Sequence, residues 1–196
     1  MNGESQDKKS SLTALIPVRC GERDILHAEI AYIGCYVYFS LKSYHLTVRR
    51  NEVITIRESR EKDTDALRHL FLNTRVSTFT WMDTSRFKLS DFEEETKGEF
   101  ILAAFVDEIP VGFVSVWTAD HFIHHLYVDN KFQHQGIGTQ LLNAVLDKFD
   151  LPVRLKCEED NTKAIRFYRQ KGFVEKEKGQ TATGTYILFE LNKRAA

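Results

Sequence analysis

The chain has 196 residues, 42% of them hydrophobic and 28% charged, with a formal net charge of −1. That length suits one domain with a sizeable core, and the near-neutral balance excludes the global basic field that nucleic acid or an anionic membrane recruits. Three cysteines, Cys20, Cys35 and Cys157, are an odd count at wide spacings; they form neither a zinc pattern nor a disulfide framework, and a reducing, cytoplasmic setting is the simplest reading.

The opening MNGESQDKKSS is polar and lacks the apolar stretch of a secretory leader. Residues 31–41, AYIGCYVYFSL, are the most apolar early run. They fall short of the about 20 residues that span a bilayer, so a buried or partner-facing strand is the expectation. Weak strand-like runs at 14–18 and 32–39 are punctuated by Ser10-Ser11, Gly21 and Gly34. Residues 1–51 read as an N-terminal extension of open structure: an added hairpin, an oligomer contact that would make a homodimer, a partly disordered arm, or an artefact of an upstream start. The domain proper is expected at 52–196.

Within that domain, residues 53–57 alternate as a strand. A helix starts at Lys62-Asp63-Thr64, with Leu67, Leu70, Phe71 and Leu72 on its apolar side. Residues 76–83, VSTFTWMD, are irregular and aromatic. Ser90 is placed to cap a helix whose first turn holds Asp91, Glu93 and Glu94, acids that suit the positive end of a helix dipole. Residues 100–106 and 111–117 make a hairpin around Asp107-Glu108. Residues 122–128, FIHHLYV, are bulky enough for a central strand. Strict alternation would put His124 and His125 on opposite faces.

Asp129-Asn130-Lys131 breaks that strand. After Gln133-His134-Gln135-Gly136-Ile137-Gly138, the spacing of Ile137, Leu141, Leu142, Val145 and Leu146 predicts a helix. Residues 152–157 are a short strand. Asn161 caps a helix over 162–171 that Gly172 ends. Residues 173–178 and 185–191 close a second hairpin, with 179–184 between. The order β-α-α-β-β-β-α-β-α-β-β combines hairpins with two strand–helix–strand units, so the class is α+β, or mixed α/β, around a central sheet.

The chemistry concentrates at the glycine turn. Gly136 and Gly138 let a ligand approach the backbone with no Cβ in the way. The first N–H groups of the helix lack intrahelical acceptors and point outward at the positive end of its dipole. A phosphate or pyrophosphate fits that geometry; a plain glycine-tolerant helix start is the other reading. The turn is not a Walker loop, since no Gly-Lys-Ser/Thr follows. Nor is it the dinucleotide fingerprint, since Leu141 stands where a third glycine is needed.

Leu126-Tyr127-Val128 followed by Gln133-x-x-Gly136-x-Gly138 resembles the acetyl-CoA-binding motif of the GNAT superfamily of N-acetyltransferases. Residues 161–173, NTKAIRFYRQKGF, resemble the same family's N-x-x-A-x-x-F-Y-x-x-x-G-F signature. The resemblance runs from about residue 53 to 191. It implies a mostly antiparallel sheet, flanked by helices and splayed at a cofactor cleft. It implies acetyl-CoA as co-substrate, no metal, and direct attack by a primary amine of a small molecule or a protein.

By the same resemblance, the backbone of Leu126, Tyr127 and Val128 would pair with pantetheine. N–H groups of His134, Gln135, Gly136, Ile137, Gly138 and Thr139 would hold the pyrophosphate. Asn161 would touch the pantetheine, and Tyr168 would give the leaving thiolate its proton. Some relatives carry a glutamate where Lys156 stands here, so the base is open among Glu158, Glu159, His124, His125 and a water chain. Cys157 reads as a buried structural thiol. The acceptor would be chosen by loops near 74–87 and 178–185, where Phe79, Trp81, Met82 and Phe87 fit either a pocket or the core. Two further readings keep part of this picture: a non-catalytic acyl-CoA-binding module, and a nucleotide-phosphate binder.

Overall fold

The structure, a computed structural model, describes residues 53–181 and 184–194. The chain divides into two units, Met1–Val48 and Arg49–Ala196, and every described residue lies in the second. The expected extension 1–51, with its strand-like runs and with Cys20 and Cys35, lies outside the described residues.

The elements follow the expected order: β1 (Thr55–Glu58), α1 (Thr64–Thr78), α2 (Asp91–Glu95), β2 (Phe100–Val106), β3 (Ile109–Trp117), β4 (Phe122–Val128), α3 (Ile137–Lys148), β5 (Val153–Glu158), α4 (Thr162–Gln170), β6 (Val174–Thr181) and β7 (Gly184–Leu191). The strands form one seven-stranded sheet in the order β1-β2-β3-β4-β5-β7-β6. Every pairing is antiparallel except β4 with β5. The fold is the mixed α+β arrangement that the pattern predicts.

The pleat sends alternate residues to two separate cores. On β2, Ala103 and Phe105 meet Leu67, Leu70 and Phe71 of α1, Phe92 of α2 and Phe113 of β3. Leu102, Ala104 and Val106 point the other way, into a larger core with Leu141, Leu142 and Val145 of α3 and Ile165 and Tyr168 of α4. Val111 and Phe113 are two apart yet serve different cores. A bulge in the β2–β3 ladder, where Ala104 pairs with Gly112 but Phe105 with Pro110, reverses the alternation between them.

Several details differ from the sequence reading, the start of β3 at Ile109 rather than at 111 among them. α1 runs on to Thr78, so the first residues of the irregular run are helical. Ser90 stands at the N-cap of α2, but its side chain makes no capping hydrogen bond. The last hairpin is tighter than expected: Gly179 and Gln180 belong to β6, and Thr181 pairs with Gly184. The reason lies across the ladder, where the Tyr186 ring covers Gly179 so closely that a Cβ there would meet its Cζ at 2.4 Å. That glycine therefore serves the packing of a strand pair rather than a turn.

Candidate functional site

β4 and β5 pair only at their first rungs, Phe122 with Arg154 and Ile123 with Leu155. Each strand is then held from its outer side alone. β4 stays on β3 as far as Val128 opposite Gly112, and β5 stays on β7 as far as Glu158 opposite Tyr186. The sheet opens between them, and the edge of β4 from Leu126 to Val128 lines one wall of the gap. Strand-edge N–H and C=O groups without a partner strand accept an extended chain of amides.

The turn that leads out of this wall is held by side-chain amides. Gln133 Nε2 donates to Val128 O at 3.2 Å and to Asn130 Oδ1 at 2.8 Å, and Gln135 Nε2 donates to Lys131 O at 3.1 Å. Gly136 is the N-cap of α3 in the left-handed region, with φ 81°, a conformation that costs an L-residue about 1–2 kcal/mol. No side chain caps this helix. The N–H groups of Ile137, Gly138 and Thr139 thus lack intrahelical acceptors and face outward. A Cβ added at Gly136 would meet nothing within 4 Å, whereas one at Gly138 would rest 3.7 Å from Phe167 Cζ and 3.9 Å from Val128 Cγ2. The turn is open on its outer side and closely packed on the inner one, where β4, α3 and α4 converge.

α4 supplies the next two candidates. Asn161 is its N-cap, with Oδ1 accepting from the Ala164 N–H at 3.2 Å, as a plain cap would. Tyr168 is 8% exposed. Its ring meets Phe167 and Phe173 edge-on at 5.3 and 5.6 Å and tilts over Phe189 at 6.1 Å. Burial raises the phenol's pKa above its ordinary value, so the group stays protonated. No hydrogen bond to its hydroxyl forms among the described residues.

Several other candidates face elsewhere. Lys156 lies on the exposed side of β5 with Nζ 4.3 Å above the Tyr186 ring. The Glu159 carboxylate is taken by the Lys178 ammonium. Cys157 is buried, and burial pushes its thiol up to about 12, the opposite of what a nucleophile needs. Phe79, Trp81 and Phe87 form a half-buried edge-to-face group that reaches Tyr127 at 6.5 Å, with Met82 half-buried beside them in the chain.

The histidines overturn the alternation argument. In the β3–β4 ladder Ser115 pairs with His125 and Val116 with Ile123, so His124 is an extra, bulged residue. Both imidazoles consequently approach one carboxylate, Glu99: Nδ1 of His124 hydrogen-bonds Oε1, and Nδ1 of His125 lies 4.0 Å from Oε2. Glu99 was not legible in the sequence, where it reads as one more acid in an acidic run. Arg75 was also missed. Its guanidinium, 10% exposed, stands 3.0 Å from Asp91 and from Glu95 and lies 3.9 Å above the Phe87 ring. Its spacing of i+4 and i+8 from Phe71 and Leu67 was the available signal, since it continues the apolar stripe with a cation.

Among the described residues no group of three or more His, Cys, Asp or Glu is placed to hold a metal. Residues 64–173 match the model of the acetyltransferase (GNAT) family. An uncharacterised N-acetyltransferase of Methanocaldococcus jannaschii is 36% identical over 81 residues; the match covers 35% of this chain and 36% of that protein, so the chain spans about a third of that relative's length. Among the solved structures that share the fold are two N-acetyltransferases. The PaiA N-acetyltransferase from Thermoplasma acidophilum, in complex with coenzyme A, superposes with a TM-score of 0.60 at 19% identity, covering 72% of this chain and 99% of that one. The ribosomal-protein-S18-alanine N-acetyltransferase from Escherichia coli superposes with a TM-score of 0.58 at 18% identity, covering 74% and 96%.

Proposed function

The chain belongs to the GNAT acetyltransferase family, and from that premise we propose that it moves the acetyl group of acetyl-CoA to a primary amine of a small molecule or a protein by direct attack. One observation carries the reading: the edge of β4 left unpaired beyond Ile123 is followed, after the turn over 129–136, by a glycine-started helix with no side-chain cap. An extended chain of amides ending in a pyrophosphate matches those two features in that order.

In this reading Leu126, Tyr127 and Val128 offer backbone groups to the pantetheine amides. The N–H groups from His134 to Thr139 take the pyrophosphate, and Asn161 touches the pantetheine while capping α4. The neutral amine adds to the thioester carbonyl, the C–N bond forms and the C–S bond breaks. Tyr168 supplies a proton to the departing sulfur, a task that suits a phenol kept protonated by burial. Much of the acceleration comes from holding two substrates in one cleft. The catalytic domain is taken as 52–196, with 1–51 as an N-terminal extension, and the protein works as a homodimer in a cytoplasmic setting. No helix among the described residues is long and apolar enough to cross a membrane.

The test is calorimetric titration with CoA, joined to thiol release from acetyl-CoA across a panel of primary amines. The expected result is CoA binding that ATP does not compete away, with amine-dependent thiol release. CoA binding with no release for any amine would establish the non-catalytic acyl-CoA module instead. Competition by ATP would establish a general nucleotide-phosphate binder.

A further inference from the structure

The bulge in β4 falls where that strand parts from β5. His124 is the inserted residue, and Ile123 makes the last pairing with β5 before the gap. An inserted residue breaks the alternation of the ladder and re-aims its side chain. The His124 imidazole accordingly joins the Glu99 carboxylate, with Nδ1 on Oε1. The carboxylate is only 3% exposed and the imidazole 42% exposed.

That asymmetry has a chemical consequence. An ionised carboxylate only accepts, so the nitrogen against it carries the hydrogen. Glu99 therefore selects the Nδ1–H tautomer of His124 and turns the Nε2 lone pair outward. His125 is the contrasting case: it is 11% exposed, with Ser115 Oγ at 2.9 Å from Nδ1 and Glu95 Oε2 at 3.3 Å from Nε2. Both of its nitrogens are occupied. Among the described residues nothing occupies Nε2 of His124.

We propose that His124 is the general base of the acetyl transfer and that Glu99 is its positioning residue. The proposal rests on the acetyl-transfer reading above. The amine nitrogen forms its bond to the thioester carbon and its surplus proton passes to His124 Nε2. The C–S bond then breaks and the thiolate takes a proton from Tyr168. Tyr168 regains a proton from the imidazolium through solvent, so the sum is acetyl-CoA plus amine giving amide plus thiol. The groups that face His124 are Glu99, from the segment before β2, and His125 and Phe122 on its own strand, with Glu95 of α2 behind His125.

Three measurements on the full chain decide it. In His124→Gln, kcat/KM falls by about 10²–10⁴-fold, acetyl-CoA binds as in wild type, the acid limb of the pH–rate profile disappears, and added imidazole restores part of the rate. In Glu99→Gln, kcat falls with acetyl-CoA binding intact, and the His124 hydrogen is no longer held on Nδ1. Long-range ¹H–¹⁵N NMR of the wild type, which needs no turnover, shows the His124 hydrogen on Nδ1. A folded His124→Gln with the wild-type rate and acid limb would overturn the base, and a wild-type Nε2–H tautomer would overturn the positioning by Glu99. Wild-type protein that binds CoA but releases no thiol with any amine would instead overturn acetyl transfer itself, a failure seen before any variant is made.

Discussion

Tyr168 joins two demands that pull in the same direction. Its ring fills the core between α4 and β7, among Phe167, Phe173 and Phe189, and that burial keeps the hydroxyl protonated. Tyr168→Phe preserves the ring and removes only the proton. The expected outcome is a joint fall in kcat and kcat/KM, by about 10²–10⁴-fold or less where water substitutes, with acetyl-CoA binding intact. Steady-state kinetics with an active amine check it; a merely structural tyrosine would lower thermal stability and leave kcat alone. Asp63 shows the same coupling of geometry to ionisation outside the cleft. Its carboxylate accepts from the Arg57 guanidinium at 2.7 and 3.1 Å and from the Arg60 N–H at 2.8 Å. Those bonds, the Arg57 pair above all, hold its pKa down to about 2 from an ordinary 3.8. The folded value lies below the unfolded one, so the stabilisation is complete above the ordinary carboxylate range and is lost as pH falls toward 2. Asp63→Asn is expected to cost about 2 kcal/mol at neutral pH, from charged hydrogen bonds on a side chain 6% exposed. The variant's stability should also change less than wild type's between pH 4 and 2, as chemical denaturation at each pH would show.

The start of α3 is the proposed pyrophosphate site, and its two glycines do different work. Gly136 is demanded by its backbone angle, so Gly136→Val strains the fold and confounds a binding test. Gly138 has an ordinary helical backbone, and an added Cβ would only touch Phe167 and Val128. Gly138→Val therefore keeps the fold while placing a branched side chain beside the outward N–H groups. CoA affinity is expected to fall at least about tenfold, which is about 1.4 kcal/mol, with a melting temperature close to wild type. Unchanged affinity by calorimetry in the folded variant would remove the phosphate role from this turn. At β4 the lesson runs the other way. Its ends were legible from composition alone, residue for residue, but the direction of its histidines was not. Period-two alternation holds only while each residue has one partner, and the bulge opposite Ser115 and Val116 gives His124 none.

On the scale of the whole molecule, both family motifs lie after residue 52. Deleting residues 1–50 is therefore expected to leave a soluble domain that binds CoA with wild-type affinity, as size-exclusion chromatography and calorimetry would show; a truncated chain that fails to fold would assign the segment to the core or to an obligate interface. The element order, the hairpin turn at Asp107-Glu108, the cap at Asn161 and the glycine turn at 136–138 were all readable in the sequence alone. Each is set by interactions within a few residues: a left-handed φ at Asp107 and Glu108, a side chain on an N–H three residues on, a helical period of apolar residues. The tertiary structure alone decided where the sheet parts, which of His124 and His125 keeps a nitrogen without a partner among the described residues, and that the side chains of Glu99 and Arg75 are buried. These depend on partners far along the chain, since Glu99 meets His124 across 25 residues and Arg75 meets Asp91 across 16. A charge in an acidic run carries no local mark of the imidazole or guanidinium that will bury it; only the packing of α1, α2 and β4 brings the partners together.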